Sequence, residues 1–288
     1  MINYNPKHWL SFIFSFHKSD TARMMWKELI YISLLSILIA YIEIAFFPEA
    51  IFLKNLTTVY SLLGFVISLL LVFRTNTAYD RWWEGRKAWG AIVNDSRSLS
   101  SKLSVLDIST EQKILFRELI TLFVFAVKNH LRNKTLKNDP KLPTWQNRFS
   151  FEGHEPIAIQ QQMRIELQKL LKNQVISQEF WLAVQKDMDA LVASLGTCER
   201  IKNTPIPFSY SLFIKKFIFI YVLTMPLAFV PLFGYFSAFI STFVFYALVS
   251  MELLAEEIED PFGSDENDLP TDQLCQTIEQ NCQQIFGV

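Results

Sequence analysis

Residues 59–90 read VYSLLGFVISLLLVFRTNTAYDRWWEGRKAWG, and this stretch joins an uncharged apolar run to a polar, tryptophan-rich one. No charged residue occurs between Val59 and Phe73, whereas Arg74 opens the polar part. A helix rises about 1.5 Å per residue, so about 20 residues are needed to cross a bilayer. The apolar run is shorter than that, which predicts a helix that is buried by protein or continues beyond the run.

Three bulky apolar residues recur on one side of this predicted helix. Phe65, Leu69 and Phe73 stand at positions i, i+4 and i+8, which places them in one stripe. Such a stripe is typical of ordinary helix packing, and the small residues Gly64 and Ser68 beside it would let a neighbouring helix approach closely. Bulky apolar rings around a symmetry axis can instead line a pore and gate ions by dewetting. The spacing alone leaves both interpretations open.

The composition indicates a membrane protein. Of the 288 residues, 51% are hydrophobic and only 19% are charged, and the mean hydropathy is +0.21. Soluble domains carry about a quarter charged residues, so an ordinary soluble enzyme is excluded as the default class. The formal net charge of −1 gives no general attraction to nucleic acid, so we predict no nucleic-acid partner.

The apolar residues form blocks that predict four transmembrane helices. The blocks beyond the opening stretch cover residues 30–47, 217–230 and 232–254. We expect a loop over residues 48–58 and a tight turn at residues 231–234, where a proline and a glycine separate the last two spans.

The rest of the chain carries helical apolar periodicity without persuasive strand alternation, so the predicted fold class is all-α. We interpret residues 1–288 as a single unit. Its membrane part comprises about residues 28–73 and 210–254, and its helical cytosolic part comprises about residues 74–209 and 255–288.

Basic residues predict the orientation of the spans. Lys18, Arg23 and Lys27 precede the first span, and Arg74 follows the second. By the positive-inside rule, both termini and residues 74–212 are then cytoplasmic.

Common enzyme signatures are absent from the sequence. It contains no GxxxxGK[ST], GxGxxG or HExxH motif, and its four histidines and three cysteines show no ligand spacing. Glu43 is an acid inside the first apolar block, and we expect it to reach the membrane interface near the outer end of that helix. We predict a protein that is not an enzyme and requires no cofactor. A membrane scaffold or adaptor that uses the cytosolic helices stays open as an alternative to a channel.

Four segments resemble the bestrophin family. FRTNTAYDRWWEGRKAWG at residues 73–90 resembles the family signature FRxNxxYxRxxExRxxWG. GTCER at residues 196–200, followed by TPIPF at 204–208, resembles the family's GxCER…TPxPF junction. EEIEDPFG at residues 256–263, followed by NDLP, resembles its acidic ExEDPFG…NDLP segment, and the pair His8-Trp9 with Lys27-Glu28 matches more loosely.

This resemblance implies an ion channel of the bacterial inner membrane that assembles as a homopentamer around one pore. Each subunit would contribute four membrane helices and a helical cytosolic region, and its partners would be its own copies, the lipid bilayer and permeant monovalent ions. The three neck positions of the family fall on Phe65, Leu69 and Phe73, the stripe that the spacing also indicates.

The resemblance also implies a second, cytosolic constriction upstream of the GxCER junction. Counting back from Cys198 without gaps places it near Glu179. Five glutamates around an axis would attract cations and repel anions, so we expect a cation preference. A solvated acid on a helix surface is the alternative interpretation of Glu179. Eukaryotic relatives are calcium-activated anion channels, whereas bacterial relatives can favour monovalent cations, so an anion (chloride) channel of the same architecture stays open.

The acidic segment suggests one metal site. In calcium-activated relatives two aspartates after the PFG turn bind Ca²⁺, and these positions match Asp265 and Asp268. Ser264 and Asn267 stand where those relatives have acids, and fewer charges weaken Ca²⁺ affinity. A charged helix end followed by a turn explains the same residues without a metal.

Overall fold

The structure is a computed structural model that describes residues 21–47, 51–139, 151 and 153–287. The pair His8-Trp9 and Lys18 lie outside these residues. The α-helices in chain order are α1 Thr21–Met24, α2 Trp26–Phe46, α3 Ile51–Ser104, α4 Thr110–Leu131, α5 Glu155–Lys172, α6 Gln178–Asn203, α7 Phe208–Thr224, α8 Pro226–Phe233, α9 Phe236–Glu259 and α10 Thr271–Phe286. Leu136–Asn138 forms a 3₁₀ turn, and the described residues contain no β-strand.

Four helical segments are long and apolar enough to cross a membrane: Trp26–Phe46, Asn55–Ser104, Phe208–Phe233 and Phe236–Glu259. The third segment joins α7 to α8. These segments confirm the predicted all-α class and the number of membrane helices.

The second membrane helix is much longer than its apolar run. α3 has 54 residues and is about 80 Å long. The predicted loop at 48–58 is wrong from Ile51 onward, because α3 already begins there. The helix also continues past Phe73 to Ser104, and in this later part Trp89, Ile92 and Leu103 are buried on one face.

The predicted turn at 231–234 is shifted by a few residues. Pro231 lies inside α8, and the chain reverses at Gly234, whose φ of +53° is in the left-handed region that favours glycine. The break between α7 and α8 falls at Pro226, which stands at the first position of α8. A proline is tolerated there because its missing N–H would have no partner within the helix.

The chain divides into two compact units. Unit 1 contains the described residues up to Arg81, together with Pro205–Asp260 and Asp265–Asn267. In its interior α9 packs against α2, α7 and α8. The inward-facing residues of α3 and α7, among them Ile67, Leu71 and Val222, belong to its apolar core.

Unit 2 contains Trp82–Thr204, Pro261–Ser264 and the described residues from Asp268 onward. Its central helix is α4, which is enclosed by α5, α6 and α10. A capping box at Ser109 and Gln112 satisfies the free N–H groups at the start of α4. Leu119, Phe123 and Val127 are fully buried there, as expected for a helix with neighbours on several sides.

Candidate functional site

The predicted neck residues project away from the core of unit 1. Phe65 is 66% exposed, Leu69 is 44% exposed and Phe73 is 56% exposed. The residues that pack the first part of α3 into unit 1 lie on another face of the helix. They are at most 8% exposed: Tyr60, Ile67, Leu71, Arg74 and Ala78. At about 100° per residue, the two faces are centred about 170° apart around the helix axis. Apolar side chains on the outer face are therefore free to meet lipid, another subunit or a pore.

A close contact with α7 fixes the buried face of α3. The Tyr221 hydroxyl donates a hydrogen bond to the carbonyl oxygen of Tyr60 at 3.2 Å, and the two rings lie 5.3 Å apart. A Cβ atom on Gly64 would come within 2.7 Å of this hydroxyl. The glycine therefore permits the close helix approach that its position in the sequence predicts.

Arg74 carries the first charge after the neck, and it is buried. Its side chain is 1% exposed, and Nη2 lies 2.7 Å from Oε2 of Glu259. Its Nε lies 3.6 Å from Oε2 of Glu252. The other oxygen of Glu259 accepts a hydrogen bond from the backbone N–H of Ile206 at 2.7 Å. Arg74 thus joins α3 to the end of α9, and its positive charge is compensated inside the unit.

Asp80 is a charged residue on the neck face that the sequence analysis missed. It is exposed, and it lies seven residues after Phe73, which returns it to the same side of α3 after two turns. The signal was the spacing itself, because extending the stripe of Phe65, Leu69 and Phe73 by two turns reaches this aspartate. Its carboxylate is the first acid on that face beyond the apolar run.

Glu179 stands in the first turn of α6. Ser177 caps this helix by accepting a hydrogen bond from the backbone N–H of Phe180 at 3.2 Å. Hydrogen bonds from its own backbone N–H and from the Ser177 hydroxyl lower the pKa of Glu179. The side chain is exposed and therefore remains a solvated negative charge at neutral pH.

The two aspartates predicted to bind Ca²⁺ differ in burial. Asp265 is exposed, whereas Asp268 is only 2% exposed. Its Oδ2 packs so close to Gly263 that a Cβ atom on this glycine would lie 2.7 Å from it. The carbonyl oxygens of Phe262 and Gly263 accept hydrogen bonds from Arg132 Nε at 3.2 and 3.0 Å. The guanidinium of Arg132 thus places a positive charge at this turn and occupies two of its carbonyl oxygens. Since Ca²⁺ takes about six to eight oxygen ligands, this turn fits Ca²⁺ only in part.

Comparisons with known proteins agree on one family. Residues 1–284 match the family described as "Bacterial/Fungal Bestrophin protein". This chain belongs to the bestrophin family. Among its relatives, a voltage-dependent anion channel-forming protein of Nostoc sp. is 36% identical, and the match covers 77% of this chain and 75% of that protein. The voltage-dependent anion channel-forming protein YneE of Escherichia coli K12 is 30% identical over 97% of this chain and 92% of its own length.

Solved structures give the same result for the fold. A mutant of a bacterial bestrophin homologue from Klebsiella pneumoniae superposes with a TM-score of 0.82 at 28% identity, covering 92% of this chain and 100% of that one. A second mutant of the same homologue gives a TM-score of 0.80 at the same identity.

Family membership confirms the predicted ion channel and the prediction that the protein is not an enzyme. This bestrophin is an ion channel of a membrane, and its fold is the one that the four sequence segments indicated. The exposed stripe on α3 is its candidate neck. Asp80 and Glu179 are exposed acids, and they are candidates for contact with permeant ions.

Proposed function

We propose that this bestrophin is a passive channel for small monovalent ions and that it acts as a homopentamer with α3 of each subunit around the pore axis. The observation that supports this most is the outward direction of Phe65, Leu69 and Phe73, opposite to the face that holds α3 in its unit. Five copies of such a stripe around an axis form three stacked apolar rings. Apolar rings exclude water when they are narrow, so the neck closes by dewetting and opens when α3 moves outward.

The proposed selectivity is a preference for cations. Asp80 follows the neck on the same face of α3, and Glu179 supplies an exposed carboxylate at the start of α6. Rings of either acid would concentrate cations in the pathway and repel anions. Arg74 does not oppose this effect, because its charge is paired with Glu252 and Glu259.

An anion channel of the same architecture is the second candidate. The observation in its favour is that the relatives from Nostoc and Escherichia coli are named anion channel-forming proteins. In that case the carboxylates of Asp80 and Glu179 would lie away from the ion pathway.

Reversal potentials in asymmetric KCl distinguish the two candidates. The purified full-length protein is fused into planar bilayers with different KCl concentrations on the two sides. Reversal near the potassium equilibrium potential is the expected result, and Glu179→Gln and Asp80→Asn should each move it toward zero. Glu257→Gln, a change at another acid on the chain, serves as the control and should not shift it. Reversal near the chloride potential would refute the cation preference, and no current under any gradient would refute the channel.

The pentamer is tested independently of conduction. Native mass spectrometry of the protein in detergent should give five chains per particle. A monomer or dimer as the main species would contradict a neck built from five copies of α3.

We propose that both termini are cytoplasmic in the bacterial inner membrane. Arg23 lies in α1 and Lys27 in the first turn of α2, and Lys215 and Lys216 directly precede the apolar run 217–230, so basic residues precede the apolar part of both spans. A fluorescent protein that becomes fluorescent only in the cytoplasm, fused after the last residue, should fluoresce in this topology. A reporter enzyme that is active only in the periplasm, fused at the same place, should show activity only if the orientation is reversed.

Regulation by Ca²⁺ through Asp265 and Asp268 stays a prediction. Its test is open probability in micromolar Ca²⁺ against a chelator. Activation that is lost in Asp265→Asn would support the site, and equal activity in both solutions would remove it.

A further inference from the structure

Two histidines and a glutamate from three helices meet in unit 2. His130 lies in the last turn of α4, His154 caps the start of α5, and Glu199 lies near the end of α6. Oε1 of Glu199 is 2.8 Å from Nε2 of His130 and 2.7 Å from Nε2 of His154. The imidazole centroids are 4.3 Å apart, and one ligand atom from each residue lies within 4.8 Å of the others.

This set of atoms matches the ligands that zinc prefers. Zn²⁺ binds imidazole nitrogens and carboxylate oxygens in tetrahedral sites, and three protein ligands leave the fourth position to water. With zinc–ligand distances of about 2.0–2.1 Å, the ligand atoms of a tetrahedron lie about 3.3 Å apart. The two nitrogen–oxygen distances would therefore lengthen by about 0.5 Å, which small side-chain rotations can supply.

The surroundings favour a neutral imidazole at His130. Burial lowers the pKa of His130, and the charges of His154 and Lys202 lower it further, whereas Glu199 raises it. Lys202 lies beside the cluster and contacts two oxygens there. Its ammonium donates to the backbone oxygen of His130 at 2.8 Å and to Oδ1 of Asn133 at 2.6 Å. Metal binding at Nε2 requires the neutral tautomer that carries its proton on Nδ1, so the ion would take the place of the Nε2 proton that faces Glu199.

The site is open to solvent on one side. The side chains of His130, His154 and Glu199 are 34%, 38% and 27% exposed. A metal ion and its water ligand can therefore reach the three ligand atoms without unfolding any helix.

We propose that His130, His154 and Glu199 bind one divalent transition-metal ion of the zinc class. The bound ion links α4, α5 and α6, three helices of the same unit. This site lies apart from the acidic segment considered for Ca²⁺, and its ligands suit a softer metal than Ca²⁺, which takes oxygen only. A plain His–Glu–His hydrogen-bond cluster is the alternative, and it would bind no metal.

Zinc competition measures the proposed site directly. The full-length protein is purified with an affinity tag that contains no histidine, stripped with a chelator and titrated with Zn²⁺ against a chromophoric chelator. The expected result is one tight site per chain. His154→Asn should weaken binding by at least about 100-fold, because it removes a ligand while an asparagine keeps the helix cap.

A second variant and a spectrum keep the result independent of folding. Glu199→Gln should weaken Zn²⁺ binding to a similar degree, whereas Glu166→Gln, an acid of α5 that pairs with Lys169, should leave it unchanged. Co²⁺ should give the strong visible absorption of a tetrahedral site in the parent protein and not in His154→Asn. Absence of a saturable zinc site, or a site that survives both substitutions at His154 and Glu199, would overturn the proposal.

Discussion

Two leucines on α3 allow the proposed neck to be tested against simple packing. Leu69 is 44% exposed on the outer face, and Leu71 is 3% exposed on the buried face. The two residues have the same side chain and stand two positions apart in one helix. Replacing each by alanine therefore removes the same atoms from two different environments.

The expected cost of Leu71→Ala follows from the cavity it leaves. A buried leucine-to-alanine change costs about 2–5 kcal/mol in soluble proteins, and about 2 kcal/mol of that is transfer of the lost carbons out of water. Lipid chains are as apolar as leucine, so most of the transfer contribution disappears in a membrane unit. We expect Leu71→Ala to lower the free energy of unfolding by about 1–3 kcal/mol, and Leu69→Ala to change it by less than about 0.5 kcal/mol.

Conduction should show the reverse order. Leu69→Ala widens an apolar ring and lowers the cost of wetting it, so the neck should open more often and pass more current. Leu71→Ala should leave single-channel conductance unchanged. The assays are equilibrium unfolding in mixed micelles and bilayer recording of the same preparations. If Leu69→Ala destabilises the protein as much as Leu71→Ala and leaves the current unchanged, Leu69 packs between subunits and does not line a pore.

Three further substitutions test contacts within the two units. Arg74→Ala leaves the buried Glu252 and the partly buried Glu259 without their counter-charge and should cost about 3–5 kcal/mol in chemical unfolding, part of which Glu252→Gln should recover in the double variant. Gly64→Ala should cost about 1–3 kcal/mol because its Cβ meets the Tyr221 hydroxyl, and a double-mutant cycle with Tyr221→Phe should show the two changes to be less than additive. Burial alone would raise the pKa of Asp272, but hydrogen bonds and charges from Arg132 and Lys128 outweigh it and hold the pKa well below its usual range. Since the folded-state pKa is depressed, this contribution is fully present above the unfolded pKa of about 4 and is lost as the pH falls through the folded-state pKa, so Asp272→Asn should destabilise the protein at pH 7 and do so progressively less below about pH 4 in thermal melts.

The sequence predicted the number of membrane helices because apolar blocks are a local property. It did not predict where α3 ends, because a change from apolar to polar residues marks the edge of the bilayer and not the end of a helix. The stretch after Phe73 contains no proline and no glycine before Gly85, so nothing in it breaks a helix. Its buried residues, such as Trp89 and Leu103, keep a helical spacing. The sequence alone does not show which side of the helix is buried, so this spacing could not be recognised there.

Residues that act together from distant positions could not be predicted from spacing. Glu43 was expected at the interface, but it is 5% exposed, and its Oε2 has no hydrogen-bond partner within the described part of the chain. α2 is apolar on nearly all sides, so its sequence does not tell which side faces the protein. His130 and His154 show no ligand spacing in the sequence, yet the end of α4 and the start of α5 bring them to one carboxylate of α6.

The register of α3 explains how a basic segment can follow the neck of a channel for which we propose a cation preference. Each residue turns the helix by about 100°, so Arg74 lies on the buried side although it is adjacent to Phe73. Glu252 and Glu259 lie on that side and pair with the guanidinium of Arg74. Asp80, two turns after Phe73, returns to the outer face and remains exposed. The same helix therefore turns its first positive charge after the neck into the protein and its first negative charge toward the proposed pathway, and inserting one residue between Phe73 and Arg74 would rotate every later side chain by about 100° and take Asp80 off the outer face.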